Sequence, residues 1–217
     1  MALPLVMCAN NPKTASELEV EFPGRMGVLL TPGHWKDPGE LPFVLDNGRF
    51  SAYSSGAKWS AKKYREFLET AKEFERDPLW IVVPDVVRDG NGTLREWKLW
   101  YNRLKQYGWK LALAVQQGIT VDIVKGLEHQ PDVIFVGGGP TRWKWDTAGG
   151  WCRNFDRVHI GAVGTERRLW MAHRVGAEST DSNVWRPVGR HLIGLRRYLE
   201  RSGKGLEETE QSGFGMI

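Results

Sequence analysis

Apolar and polar residues fall in blocks along this chain. Eight short apolar runs, at residues 3–8, 26–31, 42–46, 79–85, 110–116, 133–137, 157–161 and 177–181, each give way to polar or glycine-rich residues. Several, such as LALAV and VIFV, are continuous rather than alternating. Continuous runs of this length predict strands buried on both faces of a parallel sheet. Helical patterns lie between them. Ser60 precedes a predicted helix over 61–76, with Tyr64, Phe67, Leu68, Ala71 and Phe74 on one face. Thr93 is the expected cap of a helix over 94–108, which stops at a glycine. Thr120 and Thr165 open helices over 121–129 and 166–176, and a last helix is expected over 187–203. The segment PGHWKDPGELP at 32–42 reads as a loop.

Strand–helix alternation with eight strands predicts an α/β fold, a single (β/α)8 TIM-like barrel that is short and partly irregular. It should occupy residues 1–203, and residues 204–217, which lack a periodic apolar face, are expected to form a flexible tail. The length of 217 residues suits one domain, and an apolar fraction of 41% suffices for a core. No window is apolar enough for a membrane span, and the start MALPLVMCANNP lacks the basic region of a signal peptide. Only Cys8 and Cys152 are present, too few for a disulfide framework or a four-ligand zinc site. A reduced, cytoplasmic setting follows as the expectation. The net charge of +4 is a mild bias towards polyanions. Eleven tryptophans serve either as core material or as stacking surfaces for bases.

In a barrel of this kind the C-terminal ends of the strands face one cavity. Those ends supply Asn10 and Asn11, Asp46, Asp85, Gln116, the run Gly137-Gly138-Gly139, Gly161 and Asp181. Clustered carboxylates raise one another's pKa and can supply both a nucleophile and a protonated acid. Side-chain-free positions let a flat ligand approach backbone N–H groups. GAVGTERR at 161–168 places glycine and threonine ahead of a helix start, a possible anion seat.

The order LDNGRFSAY (45–53), VPDVV (83–87), AVQQG (114–118), VGGG (136–139) and VHIGAVGTERRLWMAHRVGAESTD (158–181) resembles the tRNA-guanine transglycosylase superfamily, over about residues 40–185. In size it is closer to the deazapurine DNA-modification (DpdA-type) branch. The resemblance implies exchange of guanine in DNA, less readily in tRNA, for a free 7-deazaguanine base, with no cofactor beyond that co-substrate. It implies Asp181 as nucleophile and Asp46 as general acid/base. It implies Asp85, Gln116, Gly137 and Gly138 around the base edge, with Phe50 and Ile160 as two apolar faces enclosing the ring. Arg186 and Arg190 would meet nucleic-acid phosphate, and Arg196, Arg197 and Arg201 would extend that track. Strand-opening helper proteins are conceivable partners. The tRNA-type enzymes carry a zinc site of three Cys and one His, which this chain lacks, so no metal is implied. Arg49 stands where those enzymes often have a second glycine.

The residue types fit such chemistry. A carboxylate can form a glycosyl ester reactive enough to break again. A guanine edge presents adjacent N–H donors, which a carboxylate meets in bidentate fashion. A paired base cannot reach a barrel mouth, so the target must be flipped or single-stranded. Two other functions use the same residues: a nucleosidase or glycosidase with water as acceptor, and a non-catalytic nucleic-acid or nucleobase-binding module.

Overall fold

The computed structural model describes residues 3–34, 36–137, 141–185 and 189–203. The expected tail at 204–217 lies outside them, as do Gly138 and Arg186. Eight parallel strands close into a barrel in sequence order. They are β1 (Leu5–Ala9), β2 (Met26–Leu30), β3 (Phe43–Leu45), β4 (Ile81–Val82), β5 (Leu111–Val115), β6 (Val133–Val136), β7 (Val158–Ile160) and β8 (Ser179–Ser182). Eight helices accompany them: α1 (Pro12–Glu21), α2 (Arg49–Ser55), α3 (Ala61–Ala71), α4 (Gly90–Lys105), α5 (Val121–Lys125), α6 (Thr141–Asn154), α7 (Glu166–Val175) and α8 (Arg190–Ser202). No helix among the described residues is long and apolar enough to cross a membrane.

The continuous apolar strands have a plain cause. Alternate residues face either the helix layer or the barrel interior, and both places are dry. Val6, Val28, Leu113, Val136 and Ile160 pack outward with residues of the helices. Met7, Leu29, Val44, Trp80, Val82, Ala112, Ala114, Val133 and Phe135 fill the interior. Trp80 is fully buried there, with its ring edge-on to Phe135 at 6.0 Å and to His159 at 5.0 Å. The barrel is therefore packed below its mouth, and open space is left only above this layer.

The second βα unit has no helix, as its glycines and prolines predict. Three helices depart from the sequence expectation. α1 begins with Pro12 and is capped by Asn11, whose side chain accepts from the Thr14 N–H, but it buries only Thr14, Ala15 and Leu18. α2 buries nothing, so no apolar stripe announces it. α6 buries Lys144, Ala148 and Trp151, a helical spacing hidden because its first member is a lysine. The cap of α4 is Asp89, not Thr93. Thr93 is buried inside the first turn, where its hydroxyl bridges the N–H and C=O of Val86.

Most of the eleven tryptophans serve packing. Trp80, Trp97, Trp100, Trp109, Trp151 and Trp185 are buried, and none of the described tryptophans lines the cavity at the barrel mouth. The thiols are sheltered too: burial pushes Cys8 up to about 12 and Cys152 up to about 11.

Candidate active site

A cavity of about 200 Å³ opens at the C-terminal mouth of the barrel. Asp46, Asp85, Gln116, Gly137, Gly161 and Asp181 all line it, together with Asn10 and Phe50. It is smaller than the roughly 300–1,000 Å³ of pockets that hold drug-sized ligands, so it suits a smaller occupant.

Each acid reaches the mouth for a local reason. Asp46 directly follows β3, and its N–H still donates to the Leu30 carbonyl at 2.8 Å, continuing the ladder. Its carboxylate turns back to accept the Gly48 N–H at 2.6 Å, a turn that needs Gly48 at φ 74°. Pro84 cannot donate to a ladder, so the β4 pairing stops and Asp85 emerges at the mouth. Asp181 lies inside β8, a strand of buried Ser179, Thr180 and Ser182 that is held by pairing with β7 and β1 on either side.

Their electrostatic settings differ. Burial raises the Asp46 carboxyl from its usual 3.8 to about 7, the Gly48 N–H pulls it back, and the charges of Asp85 and Asp181 push it further. At neutral pH such a group is poised between donor and acceptor of a proton. Asp85 is 6% exposed. Burial raises its carboxyl as well, opposed by the Asn47 amide, the Arg49 charge and the Gln116 amide. The Asn47 amide donates to Asp85 Oδ1 at 2.9 Å and the Gln116 amide to Oδ2 at 2.7 Å. Gln116 Oε1 in turn accepts the Arg88 N–H at 3.1 Å. Each carboxylate oxygen keeps a second lone pair for a ligand.

Asp181 is held asymmetrically. His159 Nε2 lies 2.9 Å from Oδ1, and the Ala162 N–H donates to the same oxygen at 3.3 Å. A carboxylate oxygen accepts, so Nε2 carries the hydrogen. His159 Nδ1 is then free to accept from the Ser179 hydroxyl at 2.9 Å. No hydrogen bond to Oδ2 is formed among the described residues. One oxygen is thus fixed and the other is left for chemistry.

The glycines are required by close approach. A Cβ at Gly137 would meet the Phe135 ring at 3.0 and 3.1 Å. A Cβ at Gly161 would meet the same ring at 3.0 Å and Asp181 Oδ1 at 3.1 Å. Among the described residues, the non-glycine residues with left-handed backbones are Asn10, Arg88 and Ala162 (φ 53°, 65° and 56°). Each lines this cavity or the one beside it. Strain of roughly 1–3 kcal/mol per residue persists only where surroundings over-determine it, and it gathers at working sites.

Several of the expected placements change. Ile160 does not enclose the cavity: it is fully buried and faces the helix layer, while its neighbours His159 and Gly161 face inward. The inner apolar surface comes instead from Phe135, Val82 and Val87, with half-exposed Phe50 on the outer side. Arg196 is tied to Glu21, and Arg197 and Arg201 to Glu166, so these three fasten α8 to α1 and α7 and do not form a free cationic track. The Thr165 hydroxyl accepts from the Arg168 N–H as the cap of α7. Asn11 caps α1 and donates to the Trp185 carbonyl, outside the cavity lining. Arg190 is exposed at the first turn of α8 and also lies outside it.

His159, Phe135, Asn47 and Lys144 were not singled out from sequence. A histidine within an otherwise apolar strand, two residues before the inward Gly161, was the available signal for the first. Lys144 is 6% exposed and donates to the Gly161 carbonyl at 2.6 Å. Burial lowers its pKa, with Asp181 opposing and Arg168 adding to the effect. Among the described residues no group of three His, Cys, Asp or Glu side chains is arranged to hold a metal ion. No protein-family model matches the chain, and no curated protein matches it either.

Proposed function

We propose that this protein is a guanine transglycosylase that exchanges a guanine in DNA for a free 7-deazaguanine base. The observation that carries the reading is the arrangement of Asp46, Asp85 and Asp181 around one base-sized cavity, each with a different environment.

The steps follow from those environments. A flipped or unpaired guanine enters between Phe50 and the Phe135–Val82–Val87 surface. Asp85, braced by Asn47 and Gln116, accepts from the N1–H and exocyclic amine of guanine. Asp181 Oδ2 attacks the anomeric carbon, forming a C–O ester bond as the bond to the base nitrogen breaks. The leaving base needs a proton, and Asp46 with its pKa near 7 donates it. The incoming 7-deazaguanine carries an N–H where guanine left, so the same Asp46 carboxylate removes that proton. The freed nitrogen attacks the anomeric carbon, and Asp181 departs as carboxylate. The strand is never cut, and no electron transfer is required.

The test is exchange of labelled guanine into single-stranded DNA and, in parallel, into tRNA. Incorporation into DNA that disappears in Asp181→Ala and in Asp46→Ala is the expected outcome. Incorporation surviving both substitutions would remove the mechanism. Abasic sites accumulating in the absence of free base would instead identify a hydrolase, and base binding with no turnover would identify a binding module.

A further inference from the structure

A second cavity opens beside the first and shares Phe50 and Ala162 with it. Arg88, Lys144, Arg168 and Trp145 also line it, and no carboxylate does among the described residues. Several arginines elsewhere meet acids, such as Arg49 with Glu96, Arg157 with Glu178, and Arg197 and Arg201 with Glu166, while others, such as Arg65 and Arg103, meet none among the described residues. Among the described residues neither Arg88 nor Arg168 has an acidic partner, although Arg88 lies 5.7 Å from the Tyr53 ring. Lys144 is almost wholly buried, and among the described residues the only hydrogen bond of its ammonium is to the Gly161 carbonyl. The Asp181 charge favours its charged form, but none of the three cations is paired with a carboxylate among the described residues, and an anion seated among them relieves their mutual repulsion.

The position of the cavity limits what the anion can be. Ala162 lines both cavities and donates its N–H to Asp181, so the cationic space begins where the attacking carboxylate ends. A sugar attacked by Asp181 would have its phosphate about one nucleotide step away from the base. We propose that this second cavity seats one backbone phosphodiester, the one adjoining the nucleotide whose base occupies the acidic cavity. The proposal rests on the reading of that first cavity as a nucleobase site. It makes a polymer, rather than a free nucleoside, the matched substrate, and it moves the principal phosphate contact from α8 to Arg88 after β4, Lys144 on α6 and Arg168 on α7.

The experiment is equilibrium binding of a labelled single-stranded DNA nonamer with one guanine. One linkage at a time is made neutral by methylphosphonate substitution. Wild-type protein is expected to lose affinity by about tenfold when a linkage flanking the guanosine is neutralised, and to lose little elsewhere. The Arg88→Gln/Arg168→Gln double variant is expected to bind the native nonamer about as weakly, and to be indifferent to that linkage. Its salt slope should fall by about one to two. A Lys63→Gln/Arg65→Gln variant, altered on the exposed face of α3, should keep the linkage preference. Inorganic phosphate should compete only through ionic strength. The proposal is overturned if no linkage stands out, if the double variant retains the wild-type preference, if the nonamer does not bind, or if inorganic phosphate displaces it at micromolar concentration. A linkage preference that persists while guanine exchange is absent would overturn the exchange reaction and leave this phosphate seat standing.

Discussion

The two cavities at the mouth sit side by side and share two wall residues, yet their charges are opposite. Among the described residues, the inner one is lined by Asp46, Asp85 and Asp181 and by no lysine, arginine or histidine. Among them too, the outer one is lined by Arg88, Lys144 and Arg168 and by no acid. Such segregation has a cost, since like charges crowd in both places. In the acidic cavity the cost is relieved partly by protonation of Asp46, whose carboxyl is raised to about 7 by burial and then by the Asp85 and Asp181 charges, and partly by amide donors aimed at Asp85. In the basic cavity one cation is desolvated against a carbonyl and the other two lack acids. The contrast separates two tasks. One region manages protons and a neutral, hydrogen-bonding base, and the other manages a permanent negative charge.

That contrast can be broken most forcefully at Asp46. Asp46→Asn keeps an acceptor for the Gly48 N–H but can neither give nor take a proton. Exchange should fall by about 10²–10⁴-fold, measured as initial rate of labelled-guanine incorporation, while DNA affinity stays the same. The same substitution sharpens the electrostatic half of the comparison. The folded carboxyl titrates near 7 and the unfolded one near 3.8. Between those values the folded state binds more protons than the unfolded state. Its stability is therefore greatest at low pH and declines as pH rises towards 7, then levels off. Asp85 is raised as well and adds a contribution of the same sign. Denaturant melts at pH 8 should find Asp46→Asn more stable than wild type by about 1–4 kcal/mol. The difference should shrink below pH 5. An unchanged pH profile would show that the Asp46 carboxyl is not raised by its burial and its acidic neighbours.

A smaller effect is expected at His159. His159→Phe retains a ring against Phe135 and Trp80 but removes the N–H that fixes Asp181 Oδ1. The Ala162 N–H remains, so positioning is loosened rather than lost. The expected outcome is a fall in kcat of up to about 10²-fold with KM for DNA unchanged. A change in KM alone would mean that His159 shapes the cavity and does not aim the nucleophile.

Much of this architecture was readable from the chain. Continuous apolar runs marked the strands because both strand faces are dry, and Asp46, Asp85, Gln116 and Asp181 fell at or near strand ends because the barrel opens into its cavity there. What escaped reading did so for physical reasons. Ile160 was set beside the ligand with Gly161, although successive residues of a strand point to opposite sides and only one of the two can face inward. His159 and Phe135 have that inward parity, but their meeting with Trp80 and Asp181 joins elements far apart in sequence. Lys144 lies on the buried face of a helix whose pattern a lysine and two glycines obscure. The basic cavity gathers Arg88 after β4, Lys144 on α6 and Arg168 on α7, which lie far apart in sequence.

The most direct measurement of the central claim is the site of covalent attachment. Protein incubated with guanine-containing single-stranded DNA, without free base, is denatured rapidly, digested and read by peptide mass spectrometry. The account predicts a deoxyribosyl adduct on the peptide containing Asp181, absent from Asp181→Ala and accumulating in Asp46→Asn only at a strongly reduced rate. Exchange that proceeds with no adduct on Asp181, or with the adduct on Asp46 or Asp85, would contradict it.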